Sequence, residues 1–349
     1  MRDERMLDDY LRELVTQTPQ DLIGKKSFKG ILGTAHLLPG SVVLSTFGFE
    51  CPLSSKEAEA DFLVSFQKKN NGPFLLKLSA EKNFGRSAVW NDVGKLADFW
   101  AGKQLIDDFW LEFDIQGEAP LVPSLFFRPL YNSLAELEII LNYSLSALTG
   151  NESTVQLSSQ VLQLVALLPD RARVFQIGAM RSRPVHGIRL CIHEISLDAI
   201  LTFLKKIPYP GSVEELKEIL IFLQPLVHDV AFSIDLSEGI GAKIGLECYV
   251  NPNFSAVEKQ SAWTKMIDKF AERDLIDAAK SIALKEFGAY TATGQLFKEL
   301  PEELVRAMAL MERHAVSTMW QYLHHLKITY DPRRPLLAKA YLSVQHTWR

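Results

Sequence analysis

The sequence predicts an α+β protein in which about ten antiparallel strands, arranged in repeated α-β-β-α units, close into a barrel with helices outside. Three observations predict it. Segments with period-two alternation of apolar and polar residues recur along the chain. Most of them come in close pairs separated by short turns rich in Gly or Pro. Segments with helical spacing lie between the pairs.

Residues 1–40 read as a helical lead-in, with a helix over Glu4 to Gln17, and 41–349 as the repeated units. The first strand is expected over Val42 to Cys51. A helix over Ser55 to Lys69 then separates it from a second strand over Pro73 to Ser79, so the first unit departs from the pattern. A helix over Val93 to Gln104 leads into strands over Phe109 to Gln116 and Ser124 to Pro129, joined by the turn Gly117 to Pro120. Ser133 and Glu136, spaced as a capping box, open the next helix, which Gly150 closes, and Val155 to Leu167 forms another. Strands over Val174 to Ala179 and Gly187 to Ile195 flank the turn Arg181 to Pro184. Helices over Leu197 to Lys206 and from Ser212 to about Leu223 follow, the second opened by Ser212 and Glu215. Strands over Val230 to Ser237 and Lys243 to Val250 flank Glu238 to Gly241. Helices over Ala256 to Arg273, Leu275 to Phe287 and Pro301 to Leu323 precede the last pair, His325 to Tyr330 and Lys339 to Val344, joined by Asp331 to Pro335. No Gly-, Ser- or Pro-rich linker interrupts the chain, so 1–349 reads as a single domain.

Composition narrows the function classes. Of 349 residues 47% are apolar and 23% charged, which supports a large core and excludes wholesale disorder. The net charge of −4 comes without a basic stripe, so a nucleic-acid partner is not expected. No apolar signal segment and no run of about 18 apolar residues occurs, so neither is a membrane partner. Three scattered cysteines, Cys51, Cys191 and Cys248, with no CxxC spacing, point to a reducing, cytoplasmic compartment and against a structural zinc site.

Alternation divides each strand into two faces. One is apolar, as in Phe109, Leu111 and Phe113 or Val230, Phe232 and Ile234, and should lie under the helices. The other carries Glu50, Glu112, Arg128, Arg189, His193, Asp235, Lys243, Glu247, Tyr249, Lys327, Lys339 and Tyr341. A polar face that meets water is the ordinary case for an antiparallel sheet. Ten strands, however, approach the limit at which a sheet curls closed, and closure would turn this charged face into the lining of a chamber. Gly48-Phe-Glu-Cys51 and Gly245-Leu-Glu-Cys248 form a short internal echo, each at the end of a strand.

With these units and this face, the chain from about Ser41 to His346 resembles the ABBA-type prenyltransferases of aromatic and peptide acceptors, whose PT barrel holds an isoprenoid diphosphate and an aromatic acceptor. Lys339-Ala-Tyr341 matches the Lys-x-Tyr arrangement with which that family binds diphosphate. The resemblance implies a diphosphate site of Arg128, Arg189, Lys243, Lys327, Lys339 and Tyr341. It implies aromatic shielding of an allyl cation by Trp110 and Tyr249, with Tyr341, Tyr330 and Phe126 as further candidates. It also implies a carboxylate that accepts a hydrogen bond from an indole-like N–H, Glu50 first, then Glu112 and Glu247. The expected activity is transfer of an allylic isoprenoid from its diphosphate to an indole-like molecule or a peptide side chain in specialised metabolism. It leaves the cofactor open, Mg²⁺ included. Developing charge on a leaving diphosphate calls for cationic donors and a phenol, and the allyl cation for aromatic faces.

Two other readings stand beside it: a non-catalytic protein that holds a peptide or small ligand on the same polar face, and an open-sheet interaction scaffold. Asp107-Asp108 with Glu112 runs from a loop into a strand, unlike helical aspartate-rich Mg²⁺ motifs, and no metal ligand set is assigned. His314, His324 and His325 have no metal-ligand spacing and read as partly exposed residues near a helix end; His193, on the polar strand face, reads first as a satisfied structural histidine, with a catalytic base as the alternative. No GxGxxG, GxxxxGK[ST] or GxSxG motif occurs, which removes Rossmann, P-loop and α/β-hydrolase readings.

Overall fold

The computed structural model describes residues 5–14, 18–67, 88–102, 105–115, 122–149, 151–181, 187–310 and 315–349. Its strands are β1 (Thr46–Pro52), β2 (Asp61–Gln67), β3 (Ile106–Phe113), β4 (Ser124–Pro129), β5 (Arg173–Ala179), β6 (Ile188–His193), β7 (Asp229–Leu236), β8 (Ile240–Tyr249), β9 (Ala289–Ala292), β10 (Ser317–Tyr330) and β11 (Leu337–Trp348). The helices are α1 (Leu7–Leu14), α2 (Lys25–Ala35), α3 (Ala88–Gly102), α4 (Leu134–Thr149), α5 (Asn151–Ala166), α6 (Leu197–Lys206), α7 (Val213–Leu223), α8 (Ala256–Ala271), α9 (Ala278–Glu286), α10 (Thr293–Leu296) and α11 (Glu302–Leu310). None of the described helices is long and apolar enough to cross a membrane.

Every strand pairs antiparallel with its neighbours in the order β11-β1-β2-β3-β4-β5-β6-β7-β8-β10, and β10 pairs back with β11. The sheet is therefore a closed ring of ten strands, which removes the open-sheet scaffold. β9 stands outside the ring: it pairs with Thr318–Gln321 of β10, while β8 takes Leu326–Tyr330 further along the same strand. Five connections between ring neighbours, β1 to β2, β3 to β4, β5 to β6, β7 to β8 and β10 to β11, lie at one end of the barrel. The helical connections lie at the other.

The apolar strand face behaves as alternation requires. Phe109, Leu111, Phe113, Leu190, Phe232, Ile234, Leu246 and Leu342 are all 0–2% exposed and join one core with helix residues such as Leu141, Phe203, Leu220 and Phe270. At roughly 25 cal/mol per Å² this double layer supplies the main drive to close the ring. The helices start where the sequence places caps. The Ser212 hydroxyl accepts from Glu215 N–H, Ser196 from Ala199 N–H, and Ser255 with Glu258 forms a complete capping box. Ser133 accepts from Glu136 N–H, while the Glu136 carboxylate reaches Asn132 N–H.

Three expectations are corrected. The expected helix Ser55 to Lys69 is, over its described residues, a loop followed by β2, because residues 53–60 are held from several sides. Asp277 N–H donates to Leu53 O, Gly24 N–H to Ala58 O, and buried Lys280 on α9 donates to Pro52 O and Glu57 O, both at 2.6 Å. The first unit is thus a regular hairpin, and the expected strand Pro73 to Ser79 lies outside the described residues. Within the expected helix Pro301 to Leu323, Glu302–Leu310 is helical, but from Ser317 the chain is β10, whose 14 residues close the ring. Residues 42–44 of the expected first strand belong instead to a 3₁₀ turn, Gly40–Leu44, and α2 was not foreseen. The turn Gly117 to Pro120, most of Arg181 to Pro184, and His314 are outside the described residues.

Lys280 is 1% exposed and its ammonium ties α9 to the end of β1 and to the loop that joins β1 to β2. Lys280→Met should lower the free energy of unfolding by about 2–3 kcal/mol, measured by urea denaturation, since two buried carbonyls lose a charged donor.

Candidate active site in the barrel interior

Register assigns the interior. Opposite pairs on the inner face are Glu50 with Tyr341, Glu50 with Asp61, Lys327 with Lys339, Glu247 with Lys327, Arg189 with Asp235, and Trp110 with Phe126. Gly residues make room for them. A Cβ on Gly178 would meet the ring of Phe126, and one on Gly245 would meet the stem of Lys327.

Two similar triplets stand on either side of the β10–β11 hairpin. On β1, Glu50 accepts from the Lys339 ammonium and from the Tyr341 hydroxyl. On β8, Glu247 accepts from Lys327 Nζ at 3.0 Å and from Tyr249 Oη at 2.8 Å. The Gly-x-Glu-Cys echo is therefore structural: both glutamates point inward, while Cys51 and Cys248 are buried on the helix side. Burial alone would raise both carboxyls. The adjacent lysine outweighs it, holding Glu50 far below the usual carboxylate range and Glu247 at about 2. Lys327 feels the opposite balance, depressed by burial but raised overall by Glu247.

Further round the ring, Arg189 makes a bidentate pair with Asp235, Nε to Oδ1 at 2.7 Å and Nη2 to Oδ2 at 3.1 Å. Burial would raise Asp235; the charges of Arg189, Lys243 and Lys327 lower it. Glu112 is 5% exposed, and its charge acts on both Arg189 and Tyr341. Arg189, Lys243, Lys327, Lys339, Tyr341, Glu50, Glu112 and Glu247 thus form one electrostatic network. Arg128 lies away from this network, at the end of β4 where the helical connections join the barrel, and its Nε is 3.4 Å from Asp108. Asp107 is exposed and Asp108 faces Arg128, so the two do not converge with Glu112. Among the described residues no group of three or more His, Cys, Asp or Glu is arranged to hold a metal ion.

Aromatic side chains line the wall beside the network. Trp110 and Tyr249 face inward as expected, and Phe126 beside Trp110. Tyr330 does not: it is buried in the helix-side core, and its hydroxyl donates to Glu215 on α7 at 2.7 Å, because Leu326, Ile328 and Tyr330 share the outer parity of β10. Sequence reasoning missed much of the remaining wall. Tyr322 stacks on Trp320 with centroids 3.8 Å apart, and Trp320 on Tyr290 at 5.3 Å. His325 stacks on Tyr341 at 4.1 Å and lies 5.2 Å from Tyr249. His324 and His325 are strand residues at an irregularity of β10, not helix-end histidines; their Nδ1 atoms are 2.7 Å apart, so one donates to the other. Burial holds His325 neutral, its pKa down at about 3. The alternation Thr318, Trp320, Tyr322 was the available signal.

Asp61 was missed too, since Phe62, Val64 and Phe66 alternate with it in a stretch read as helix. It accepts from Ile115 N–H at 2.8 Å and faces Glu50 across the β1–β2 pair. Burial and the Glu50 charge push its pKa up to about 7.

No protein-family model matches the sequence, and no curated protein matches it. Solved structures do. The chain is similar to the prenyltransferase PriB in its apo form, with TM-score 0.58 at 12% identity, covering 98% of this chain and 96% of that one. It is similar to a 6-dimethylallyltryptophan synthase from Micromonospora olivasterospora in complex with DMASPP and Trp, with TM-score 0.53 at 10% identity over 97% and 96% of the two chains. A further 6-dimethylallyl tryptophan synthase gives 0.55 at 9% over 96% and 94%. The fold is the PT barrel.

Asp61 yields a stability prediction. Its folded pKa lies above the unfolded value of about 3.9, so stability falls as pH rises from about 4 to about 7. Asp61→Asn should hardly change Tm at pH 4 and raise it by several degrees at pH 8 in a thermal melt.

Proposed function

We propose that this chain is an aromatic prenyltransferase, which moves an allylic isoprenoid from its diphosphate to an electron-rich ring. The observation that carries the reading is the closed interior in which cations, phenols and carboxylates adjoin an aromatic wall. The PT-barrel neighbours, one of them in complex with DMASPP and Trp, support it at the level of fold.

In this reading Arg189, Lys243, Lys327, Lys339 and Tyr341 take the diphosphate. As the carbon–oxygen bond breaks, charge develops on the leaving oxygens, and preorganised donors in a water-poor site stabilise it. The allyl cation lies against Trp110, Tyr249, Tyr322 and Tyr341, whose faces attract it and exclude water. Attack by the acceptor ring forms the new carbon–carbon bond, and transfer of the ring proton to the released diphosphate restores aromaticity. Glu50, kept ionised by Lys339 and Tyr341, is the acceptor for an indole-like N–H. Glu112 and Glu247 serve mainly to set the charge of the cations they face.

One observation favours a second reading, that of a non-catalytic binding protein: Lys327, Lys339 and Arg189 are already satisfied by Glu247, Glu50 and Asp235. A diphosphate must compete with these carboxylates.

Dimethylallyl or geranyl diphosphate should raise Tm by several degrees, and with L-tryptophan or an aromatic peptide give a prenylated product by mass spectrometry. No shift with either, with and without Mg²⁺, would leave the binding reading. Glu50→Gln should keep the shift and lose roughly 10²–10³-fold in turnover. Lys327→Met alone would strand a buried carboxylate, so the pair Lys327→Met with Glu247→Gln is the clean test: folded by circular dichroism, and without the shift.

A further inference from the structure

The helix-side end of the barrel has a cavity of its own, of about 480 Å³, in the size range of small-molecule sites. It lies between the start of β3, the end of β4, the start of β5 and the end of β6. Leu105, Val174 and Phe175 supply apolar lining, and Arg128, Arg173 and His193 supply donors. Arg173 and His193 are direct register partners on β5 and β6. The Phe175 ring lies 5.0 Å from the His193 ring.

The backbone of this wall is already engaged, since Val174 N–H donates to Tyr131 Oη and Asn132 N–H to Glu136. Its side-chain donors are not. Among the described residues Arg173 has no hydrogen bond or ion pair, neither nitrogen of His193 is hydrogen-bonded, and Arg128 meets Asp108 through Nε alone. Two guanidiniums and an imidazole around an apolar floor suit a ligand with an acidic group and a flat apolar body.

The charge balance selects a monoanion. Arg128 and Arg173 face the cavity together with Glu136, and Asp108 already answers Arg128; Glu194 and Asp229 also act on His193. One negative charge is matched by Arg173, whereas a second would meet carboxylates. We propose that this cavity is a binding site for an aromatic carboxylate, separate from the charged network near the hairpin end. His193 strengthens the site: burial and the two arginines keep the imidazole below its usual pKa, and a bound carboxylate raises it.

The inference rests on the cavity and not on the chemistry assigned to the interior. Its test is titration calorimetry of the full chain with indole-3-acetate, indole and inorganic phosphate. Indole-3-acetate should bind roughly tenfold or more tightly than indole, and phosphate should not displace it. Arg173→Ala should weaken indole-3-acetate by a similar factor and leave indole unchanged; Arg173→Lys should restore part of the loss. Tm should not move, because Arg173 is exposed. Equal affinity of wild type and Arg173→Ala for indole-3-acetate, or displacement by phosphate at equal concentration, would overturn the proposal. Adding dimethylallyl diphosphate separates two sources of the carboxylate: conversion of the bound acid to a prenylated product makes it the acceptor, and recovery unchanged makes it a separate ligand of the same site.

Discussion

Two ammonium groups, Lys327 and Lys339, sit directly opposite each other on adjacent strands inside a closed barrel. Like charges in that position repel, and burial makes the repulsion worse. The wall is stable because each lysine has its own glutamate from the strand beyond it, Glu247 on β8 and Glu50 on β1. Those strands can flank the β10–β11 hairpin only when the ring closes, which brings residue 50 against residue 339. Closure and charge neutralisation therefore require one another. Hydrophobic burial drives the closure, but the ion pairs specify which strands meet, since a wrong neighbour would leave a buried charge unpaired.

The same pairing sets the terms of any chemistry inside. Glu50 and Asp61 are neighbours across β1 and β2, yet Lys339 and Tyr341 hold the first ionised, while burial and the charge of Glu50 carry the second toward neutrality. Two adjacent carboxyl groups with divergent pKa values give the interior one fixed negative charge and one group that titrates in the neutral range. The three cysteines take no part; burial raises their thiols, Cys191 to about 12.

Much of the architecture was legible because it follows from period-two alternation and turn chemistry, which are local. Strands β3 to β8 fell near their predicted positions for that reason. The two large errors share a cause. Residues 55–69 and 311–323 carry enough Ala, Glu, Lys, Leu and Met to read as helix, and only partners far away in sequence decide otherwise: Lys280 and Gly24 for the loop before β2, and β9 and β11 for β10. Lys-x-Tyr and the Gly-x-Glu-Cys echo picked out residues that the structure turns inward, because an inward position is a matter of parity. His325 shares the inward parity of Lys327 and was hidden only by being placed at a helix end; Asp61, Trp320 and Tyr322 were hidden because a strand had been taken for a helix. That the lysines face glutamates at all was invisible, because it is a property of register between the two ends of the chain.

The interior is graded along the barrel axis, and the gradient has a direction. β10 runs from the helix side to the hairpin side, and in that order its inner face presents Trp320, Tyr322, His325 and Lys327. Aromatic stacking on Tyr290 opens the series and the Glu247 ion pair closes it. A molecule with a charged head and an apolar tail has one low-energy orientation in such a field. Its head must compete with carboxylates already bound to the cations, and each one it displaces is left as a buried charge without its partner. Its tail gains contact with rings only if it extends toward the helix side. Reversal would place hydrocarbon among ion pairs and strand a charge against Trp320. The sequence of side chains on one strand therefore orients an amphipathic ligand before any single contact selects it.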